Sequence, residues 1–255
     1  MIKSNFKMIV TDLDGTYLRD DKTISIFSQE TLNTLREQGY IFVVATARPV
    51  RSVVGIPNLE FDAGIFHNGA VVYNQNKLIN SFGVNAPFHI VNRILAQYRH
   101  YNVAVESKDM LYANFDSNRI WPGTECIYTN NFQEIQNLIA DKIIIEINSL
   151  EEMNRLKIFL PDELYIQLSE NRIAMIMNKK ATKANGIQYL ASLYNIEMSE
   201  IISFGDDYND IEMLKAVGKG IAVSNALNVV KDSADVICES NNLDGVAKCL
   251  ADLLL

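Results

Sequence analysis

The chain reads Val10-Thr11-Asp12-Leu13-Asp14-Gly15-Thr16 where an apolar run near its start gives way to a glycine turn. The run at residues 7–11 predicts a short buried strand, and residues two apart in a strand project to the same side. Asp12 and Asp14 can therefore face one target. Two anions at one strand end repel each other, unless a divalent cation lies between them or one carboxyl stays protonated. A solvated strand-to-turn junction built from good turn residues is the alternative.

A second apolar run, Ile41–Ala45, is followed by Thr46-Ala47-Arg48-Pro49. This segment offers a hydroxyl, backbone N–H groups and a guanidinium at the point where a strand gives way to a loop. Such groups bind phosphate. Thr and Pro also commonly follow strands, so the segment alone is a weak indication of a phosphate site.

A lysine opens a predicted helix in the second half of the chain. Thr182 is a candidate N-cap, and apolar positions recur at helical spacing over residues 187–194. A lysine in a first helical turn opposes the helix dipole, which prefers anions there. Lys183 therefore indicates a bound anion, and a solvated surface lysine is the alternative.

A fourth segment, Gly205-Asp206-Asp207-Tyr208-Asn209-Asp210, is rich in acidic residues and follows an apolar run at residues 201–204. Asp206 is expected at the carboxyl end of a strand. Asn209 and Asp210 follow three and four residues later, near one another if a helix begins there. Because acids favour helix starts, an N-terminal capping cluster is the alternative reading.

Strand-like runs and helical patterns alternate at both ends of the chain. Strands are predicted near residues 7–12, 41–46, 62–66, 201–205, 219–223 and 235–238, and helices at 29–38, 183–194, 209–217 and 243–254. This alternation predicts an α/β fold with a parallel sheet covered on both faces. Ligands bind such sheets at the carboxyl ends of the strands, and all four segments lie there or at the helix starts that follow.

Between residues 83 and 182 the pattern changes to short strands and amphipathic helices, predicted at 86–100, 131–140 and 150–160. Residues 165–169 and 172–177 predict a hairpin joined through Glu170-Asn171, because Asn tolerates a left-handed turn. About a hundred residues suffice for a separate small domain. The predicted organisation is one unit of residues 1–82 and 183–255 interrupted by a domain of residues 83–182.

Composition narrows the class of protein. The 255 residues are 48% hydrophobic, which is enough for a buried core. The net charge of −8 disfavours capture of nucleic acid or of an anionic membrane, and favours a small ligand with a divalent cation. The opening Met1-Ile2-Lys3-Ser4-Asn5-Phe6 lacks a signal-peptide core, so a cytoplasmic location is expected. The expected assembly is a monomer or a homodimer, with no choice between them from the sequence. Cys126, Cys238 and Cys249 lack metal-ligand spacing and are expected to be reduced, mostly buried thiols.

The four segments together resemble the motifs of the haloacid dehalogenase (HAD) superfamily: D-x-D-G-T, a Ser/Thr at a strand end, a Lys at a helix start, and G-D-x-x-N-D. The long gap between the second and third motifs resembles the Cof-type or class IIB branch of sugar-phosphate phosphatases, as does Asn68-Gly69-Ala70. Ala47 stands where that branch usually has Gly. The resemblance implies a Rossmann-like catalytic core with an inserted α/β cap of the C2 type that sets specificity.

The resemblance also implies an activity, namely Mg²⁺-dependent hydrolysis of small phosphorylated metabolites, with sugar phosphates as the first expectation. Asp12 would attack phosphorus to form an aspartyl-phosphate, and Asp14 would serve as general acid and base. The residues that would hold the phosphoryl group are Thr46, Ala47 through its amide, Lys183 and Asn209. The residues that would hold Mg²⁺ are Asp12, Asp14 through its backbone carbonyl, Asp206, and, through water or the outer shell, Asp210 and Asp207.

Other functions use similar residues. A phosphomutase would return the phosphoryl group to a second hydroxyl. A non-catalytic phosphometabolite sensor or a phospho-acceptor receiver module would not turn over a substrate. The presence of both Asp12 and Asp14 argues against the sensor, and the length with its inserted domain argues against the receiver. Pyridoxal phosphate and nucleotides follow sugar phosphates as candidate substrates.

Overall fold

The computed structural model describes residues 5–169 and 172–255. The chain forms two compact units, one of Met1–Asn80 with Thr182–Leu255 and the other of Ser81–Ala181. The sequence prediction placed the corresponding junctions at residues 82/83 and 182/183. No helix in the described ranges combines the length and the hydropathy that crossing a bilayer requires.

Strands and short helices alternate in the described ranges. The strands are β1 (Met8–Thr11), β2 (Ile41–Ala45), β3 (Ala63–Phe66), β4 (Val71–Asn74), β5 (Lys77–Ser81), β6 (Val103–Ser107), β7 (Met110–Ala113), β8 (Cys126–Tyr128), β9 (Lys142–Glu146), β10 (Leu164–Ser169), β11 (Ile173–Asn178), β12 (Ile201–Gly205), β13 (Lys219–Val223) and β14 (Val236–Cys238). The α-helices are α1 (Ile26–Glu37), α2 (Arg51–Val54), α3 (Pro87–Gln97), α4 (Leu150–Leu156), α5 (Lys183–Tyr194), α6 (Ile211–Ala216), α7 (Asn228–Lys231) and α8 (Gly245–Leu254).

The first unit is built on an eight-stranded sheet in the order β14-β13-β12-β1-β2-β3-β4-β5. The strands from β14 to β3 are parallel, with β1 between β2 and β12. Along β1, Ile9 packs into one hydrophobic cluster while Met8 and Val10 pack into another. Because neighbouring residues of a strand point to opposite faces, both faces of the sheet are covered. The predicted α/β fold is confirmed.

One edge of this sheet differs from the prediction of a parallel sheet. Strand β4 runs antiparallel to β3, and neither β4 nor β5 was predicted. Gln75 and Asn76 between them both have positive φ, at 46° and 61°. Only residues 67–70 join β3 to its antiparallel neighbour β4, so no crossover helix marks this edge in the sequence.

Helix α5 spans the predicted residues 183–194, and the capping residues at its two ends explain where it begins and ends. The Thr182 hydroxyl accepts a hydrogen bond from the Asn185 N–H, and Asn195 closes the helix in the left-handed region with φ 54°. These are standard caps for the two helix ends. Helix α1 begins three residues before the prediction, because Ser25 caps it through the Ser28 N–H.

The second unit contains a six-stranded sheet in the order β10-β11-β9-β6-β7-β8. Strands β10 and β11 pair antiparallel from Leu164–Asn178 to Ser169–Ile173, as the predicted hairpin requires. The predicted turn at Glu170-Asn171 lies outside the described residues. A cluster that includes Val103, Val105, Ile143 and Ile145 packs with residues of α3 and α4. The predicted helices at 86–100 and 150–160 are present but shorter, as α3 and α4.

The predicted helix at residues 131–140 is wrong, because only a 3₁₀ turn at Gln133–Ile135 forms there. The Phe132 N–H donates to the Thr129 hydroxyl, and the Gln133 N–H donates to the Asn131 side chain. Such local side-chain acceptors compete with helical hydrogen bonds. Phe132 itself has φ 56°, which an α-helix cannot contain.

Candidate active site

Three acids meet at the carboxyl edge of the parallel strands in the first unit. Asp12 follows β1 and Asp206 follows its neighbour β12, while Asp210 lies in the 3₁₀ turn Tyr208–Asp210. The Asp12 N–H donates to the Phe204 carbonyl at 3.0 Å, which keeps the two strand ends in register. Asp12, Asp206 and Asp210 each offer a carboxylate oxygen within 4.8 Å of the others. We call these three residues the acidic group.

Lys183 supplies the positive charge of this site from the first turn of α5. Its side chain is fully buried, and Nζ lies 2.5 Å from Asp12 Oδ1 and 2.6 Å from Asp210 Oδ1. Burial lowers the pKa of Lys183, but the charges of Asp12 and Asp210 outweigh burial and raise its pKa above the ordinary value. The two carboxylates compensate for the unfavourable helix dipole, so the alternative of a solvated surface lysine is excluded.

The acidic group carries more negative charge than Lys183 balances. Burial raises the pKa of Asp12 well above its ordinary value against the opposing charge of Lys183. Burial likewise raises the pKa of Asp206 to about 6, although a hydrogen bond from Thr16 opposes this. With all three carboxylates ionised, the acidic group and Lys183 together would carry two net negative charges, and the raised pKa values of Asp12 and Asp206 reflect the cost of that state. A divalent cation with oxygen ligands fits that charge and that spacing.

Asp210 is held on both of its carboxylate oxygens. Oδ1 accepts from Lys183, and Oδ2 accepts from the backbone N–H groups of Asp206 and Asp207 at 2.9 and 3.1 Å. A Cβ on Gly205 would lie 2.4 Å from the Asp210 Cβ, so only glycine leaves room for this turn. The helix-capping alternative for this segment is therefore also correct, and the cap and the acidic group share Asp210.

Gly15 and Thr16, the two residues that follow Asp14, together determine where the Asp206 side chain lies. Thr16 Oγ1 donates to Asp206 Oδ1 at 2.6 Å. Gly15 has φ +78°, and a Cβ there would lie 2.5 Å from Asp206 Oδ2. Thr16 was not singled out from the sequence as a site residue, although the D-x-D-G-T motif contains it. The glycine turn therefore brings the Thr16 hydroxyl to Asp206 and leaves space for its carboxylate.

Replacing Gly15 by alanine is expected to weaken Mg²⁺ binding by about 10- to 100-fold, as loss of support for a metal ligand does. The new methyl group would push Asp206 away from Thr16. Gly39→Ala is the matched control, since Gly39 also has positive φ (+94°) but has no atom within 4 Å of an added Cβ. Isothermal titration with Mg²⁺ measures both variants. Equal Mg²⁺ affinity in the two variants would contradict the expected clash.

Asp14 occupies a different environment from the acidic group. Arg48 Nε and Nη2 donate to its two carboxylate oxygens at 2.6 Å each, and Lys22 Nζ donates to Oδ1 at 2.7 Å. Burial raises the pKa of Asp14, but the hydrogen bonds from Arg48 and Lys22 outweigh burial and hold its pKa below the ordinary value. Arg48 therefore contacts the Asp14 carboxylate, whereas the sequence analysis predicted that its guanidinium would bind phosphate.

The remaining predicted phosphate-binding residues lie on the loops of the same unit. Thr46 is buried after β2, and its Oγ1 accepts from the Arg48 N–H at 3.2 Å, which leaves the hydroxyl proton available to donate. Ala47 is half-buried. Asn209 Nδ2 donates to Asn68 Oδ1 at 2.9 Å, and its own buried Oδ1 has no partner among the described residues. The phosphate contacts of these residues stay predictions.

The chain matches known proteins along almost its whole length. The family model of haloacid dehalogenase-like hydrolases matches residues 9–250. The 5-amino-6-(5-phospho-D-ribitylamino)uracil phosphatase YitU of Bacillus subtilis is 29% identical, with 96% of each chain covered. A haloacid dehalogenase-like hydrolase from Bacteroides thetaiotaomicron is 26% identical, with a TM-score of 0.86 over 97% of this chain and 99% of that one. A HAD subclass IIB sugar phosphatase shares the fold at 23% identity, with a TM-score of 0.82 over 96% and 98%.

The family match defines a hydrolase, and its candidate site, the acidic group, lies at the carboxyl edge of a parallel sheet. The chain belongs to the haloacid dehalogenase-like hydrolase family, and its fold is similar to that of the HAD subclass IIB sugar phosphatase. It is a phosphatase, an enzyme that hydrolyses phosphoric monoesters. The resemblance read from the four motifs is thereby confirmed.

Proposed function

We propose that this phosphatase hydrolyses small phosphorylated metabolites, above all sugar phosphates, with Mg²⁺ and through an aspartyl-phosphate on Asp12. The observation that carries the proposal is the buried contact between Asp12 and Lys183 at the edge of the acidic group. A carboxylate held by an ammonium in this way is fixed in orientation and can receive a phosphoryl group whose charge the ammonium also stabilises.

The reaction divides into two steps. In the first, an oxygen of Asp12 bonds to phosphorus, the bond to the leaving oxygen breaks with its electron pair, and Asp14 gives that oxygen a proton. In the second, Asp14 takes a proton from a water molecule, which attacks phosphorus and releases Asp12. Lys183, Thr46, the Ala47 amide and Asn209 bind the phosphoryl oxygens throughout.

The residues present fit a divalent cation. Asp12 and Asp206 would hold Mg²⁺ together with the backbone carbonyl of Asp14. Asp210, whose oxygens already accept from protein donors, would act on its outer shell together with Asp207. When bound, Mg²⁺ supplies positive charge to the non-bridging oxygens of phosphate.

Removal of divalent cations is expected to reduce turnover of p-nitrophenyl phosphate to the background rate, and added Mg²⁺ is expected to restore it. The physical reason is that the acidic group repels a phosphate dianion unless a cation offsets its charge. Phosphate release in chelator and in a Mg²⁺ titration measures this. Full activity after exhaustive chelation would contradict the proposed cofactor.

Similarity to named phosphatases supports the proposed substrate class. The B. subtilis relative is named for a phosphorylated ribityl compound, and a structural neighbour is named a sugar phosphatase. We assign the first unit to catalysis and Ser81–Ala181 to substrate selection as part of the same proposal. Phosphate release from a panel of sugar phosphates, pyridoxal phosphate and nucleotides tests it. An isomeric sugar phosphate as product, without inorganic phosphate, would favour a phosphomutase instead.

A further inference from the structure

The guanidinium of Arg48 binds Asp14 as a fork. Nε donates to Oδ2 and Nη2 donates to Oδ1, both at 2.6 Å. A single hydrogen bond lets a carboxyl group rotate, whereas two parallel contacts from a planar fork define its plane as well as its position. The contact thus restricts the rotation of the Asp14 carboxyl group about its Cβ–Cγ bond, which sets the plane in which the two oxygens lie.

The two oxygens of Asp14 are not equivalent. Oδ1 accepts from Arg48 and from Lys22, whereas Oδ2 accepts from Arg48 Nε among the described residues. A carboxylate oxygen offers about two lone-pair directions. Oδ1 is therefore fully engaged, and Oδ2 keeps one direction for a further hydrogen bond.

The backbone of Arg48 is itself held at two places. Its N–H donates to Thr46 Oγ1 at 3.2 Å, and its carbonyl accepts from the His67 N–H at 3.1 Å. Thr46 follows β2, and His67 opens the turn that follows β3. The guanidinium therefore projects toward Asp14 from backbone fixed to two strand ends, which is the support that an oriented functional group needs.

We infer that Arg48 is a positioning residue of the reaction, which holds the plane of the Asp14 carboxyl so that Oδ2 exchanges the proton with the substrate. The inference rests on the proposed function, in which Asp14 protonates the leaving oxygen. The contacts from Arg48 and Lys22 favour the ionised form of Asp14, so Asp14 takes up the proton that it gives when the negative charge of a bound phosphate monoester lies beside it. In that step the phosphorus–oxygen bond breaks with its electron pair on the leaving oxygen. That oxygen takes the proton from Asp14 Oδ2, and Asp12 becomes bonded to phosphorus.

The test compares two esters that differ in their need for a proton. Phenolate is a more basic leaving group than p-nitrophenolate, so phenyl phosphate depends more strongly on the general acid. In Arg48→Gln, kcat/KM for phenyl phosphate is expected to fall about tenfold or more further than kcat/KM for p-nitrophenyl phosphate. Arg48→Lys keeps the charge without the fork and is expected to show the same imbalance.

Arg36 offers a matched control. It also donates to an aspartate, Asp62, and its side chain is 26% exposed against 24% for Arg48. Asp62 precedes β3, at the end of the strand opposite to the acidic group's edge. Arg36→Gln is expected to keep the wild-type ratio between the two esters. In an Asp14→Asn background, Arg48→Gln is expected to leave the ratio unchanged, because the residue it positions is already lost.

Three results would overturn the inference. Equal losses on both esters in Arg48→Gln would show that Arg48 binds the phosphoryl group. A wild-type ratio in Arg48→Lys would show that its charge, and not the orientation of the fork, is what matters. Wild-type protein that releases phosphate from neither ester and from no compound of the substrate panel would reject the proposed function, and the inference with it.

Discussion

Asp12→Asn is expected to lower phosphatase turnover by roughly four orders of magnitude or more, the range seen when a nucleophile is removed. An amide is a poor nucleophile and its acyl-phosphate counterpart cannot form. Turnover of p-nitrophenyl phosphate measures the loss. Rapid quenching followed by mass spectrometry of the wild-type protein is expected to find the phosphoryl group on Asp12 and none in the variant.

The same substitution should leave the fold intact. Asp12 is buried with a raised pKa, so a neutral side chain of the same shape removes a desolvation cost while Lys183 keeps its contact with Asp210. The midpoint of thermal unfolding is expected to move by only a few degrees. Asp62→Asn, at the opposite end of the sheet, is the control and should keep wild-type turnover. Retention of a substantial fraction of activity by Asp12→Asn would reject Asp12 as the nucleophile.

Lys183→Met is expected to damage both stability and activity. The side chain of Lys183 is fully buried between Asp12 and Asp210, and its removal leaves two buried carboxylates without their cation. Breaking a buried ion pair from one side costs about 3–5 kcal/mol of unfolding free energy. Loss of a charge that stabilises the phosphoryl group is expected to lower kcat/KM by about 10²–10³-fold. Denaturant unfolding and initial rates measure the two effects.

A double variant separates these effects. Lys183→Met combined with Asp210→Asn removes one of the uncompensated charges, so part of the stability should return while kcat/KM stays low. The exposed Lys215 of α6 provides the control, and Lys215→Met should change stability by no more than about 0.5 kcal/mol. Unchanged kcat/KM in Lys183→Met would remove Lys183 from the site.

Much of the site could be predicted because its residues stand at fixed places in a regular pattern. Asp12 and Asp206 each end an apolar run, and parallel strands bring such ends to one edge of the sheet. Lys183 was recognised by a local conflict, a cation in the first turn of a helix, which only a nearby negative charge resolves. The predicted anion is supplied in the structure by two side chains of the protein.

The errors arose where local pattern is ambiguous. The segment at residues 131–140 has amphipathic spacing, but side chains such as Thr129 and Asn131 hold its backbone out of a helix. The antiparallel edge was missed because only residues 67–70 join β3 to β4, which leaves no crossover helix to detect. Cys126, Cys238 and Cys249 are free and only half-buried, although burial was expected.

Pattern along the chain was sufficient to establish an α/β core, the strand ends that carry Asp12 and Asp206, and the helix that begins at Lys183. It could not assign partners. Arg48 binds Asp14 from 34 positions away, and Lys183 reaches Asp12 across 171. Which cation meets which carboxylate depends on how distant segments come together after folding, and the pattern within one segment does not specify its partner in another. The pairing of Lys183 with Asp12 and of Arg48 with Asp14 is therefore established only by the tertiary structure.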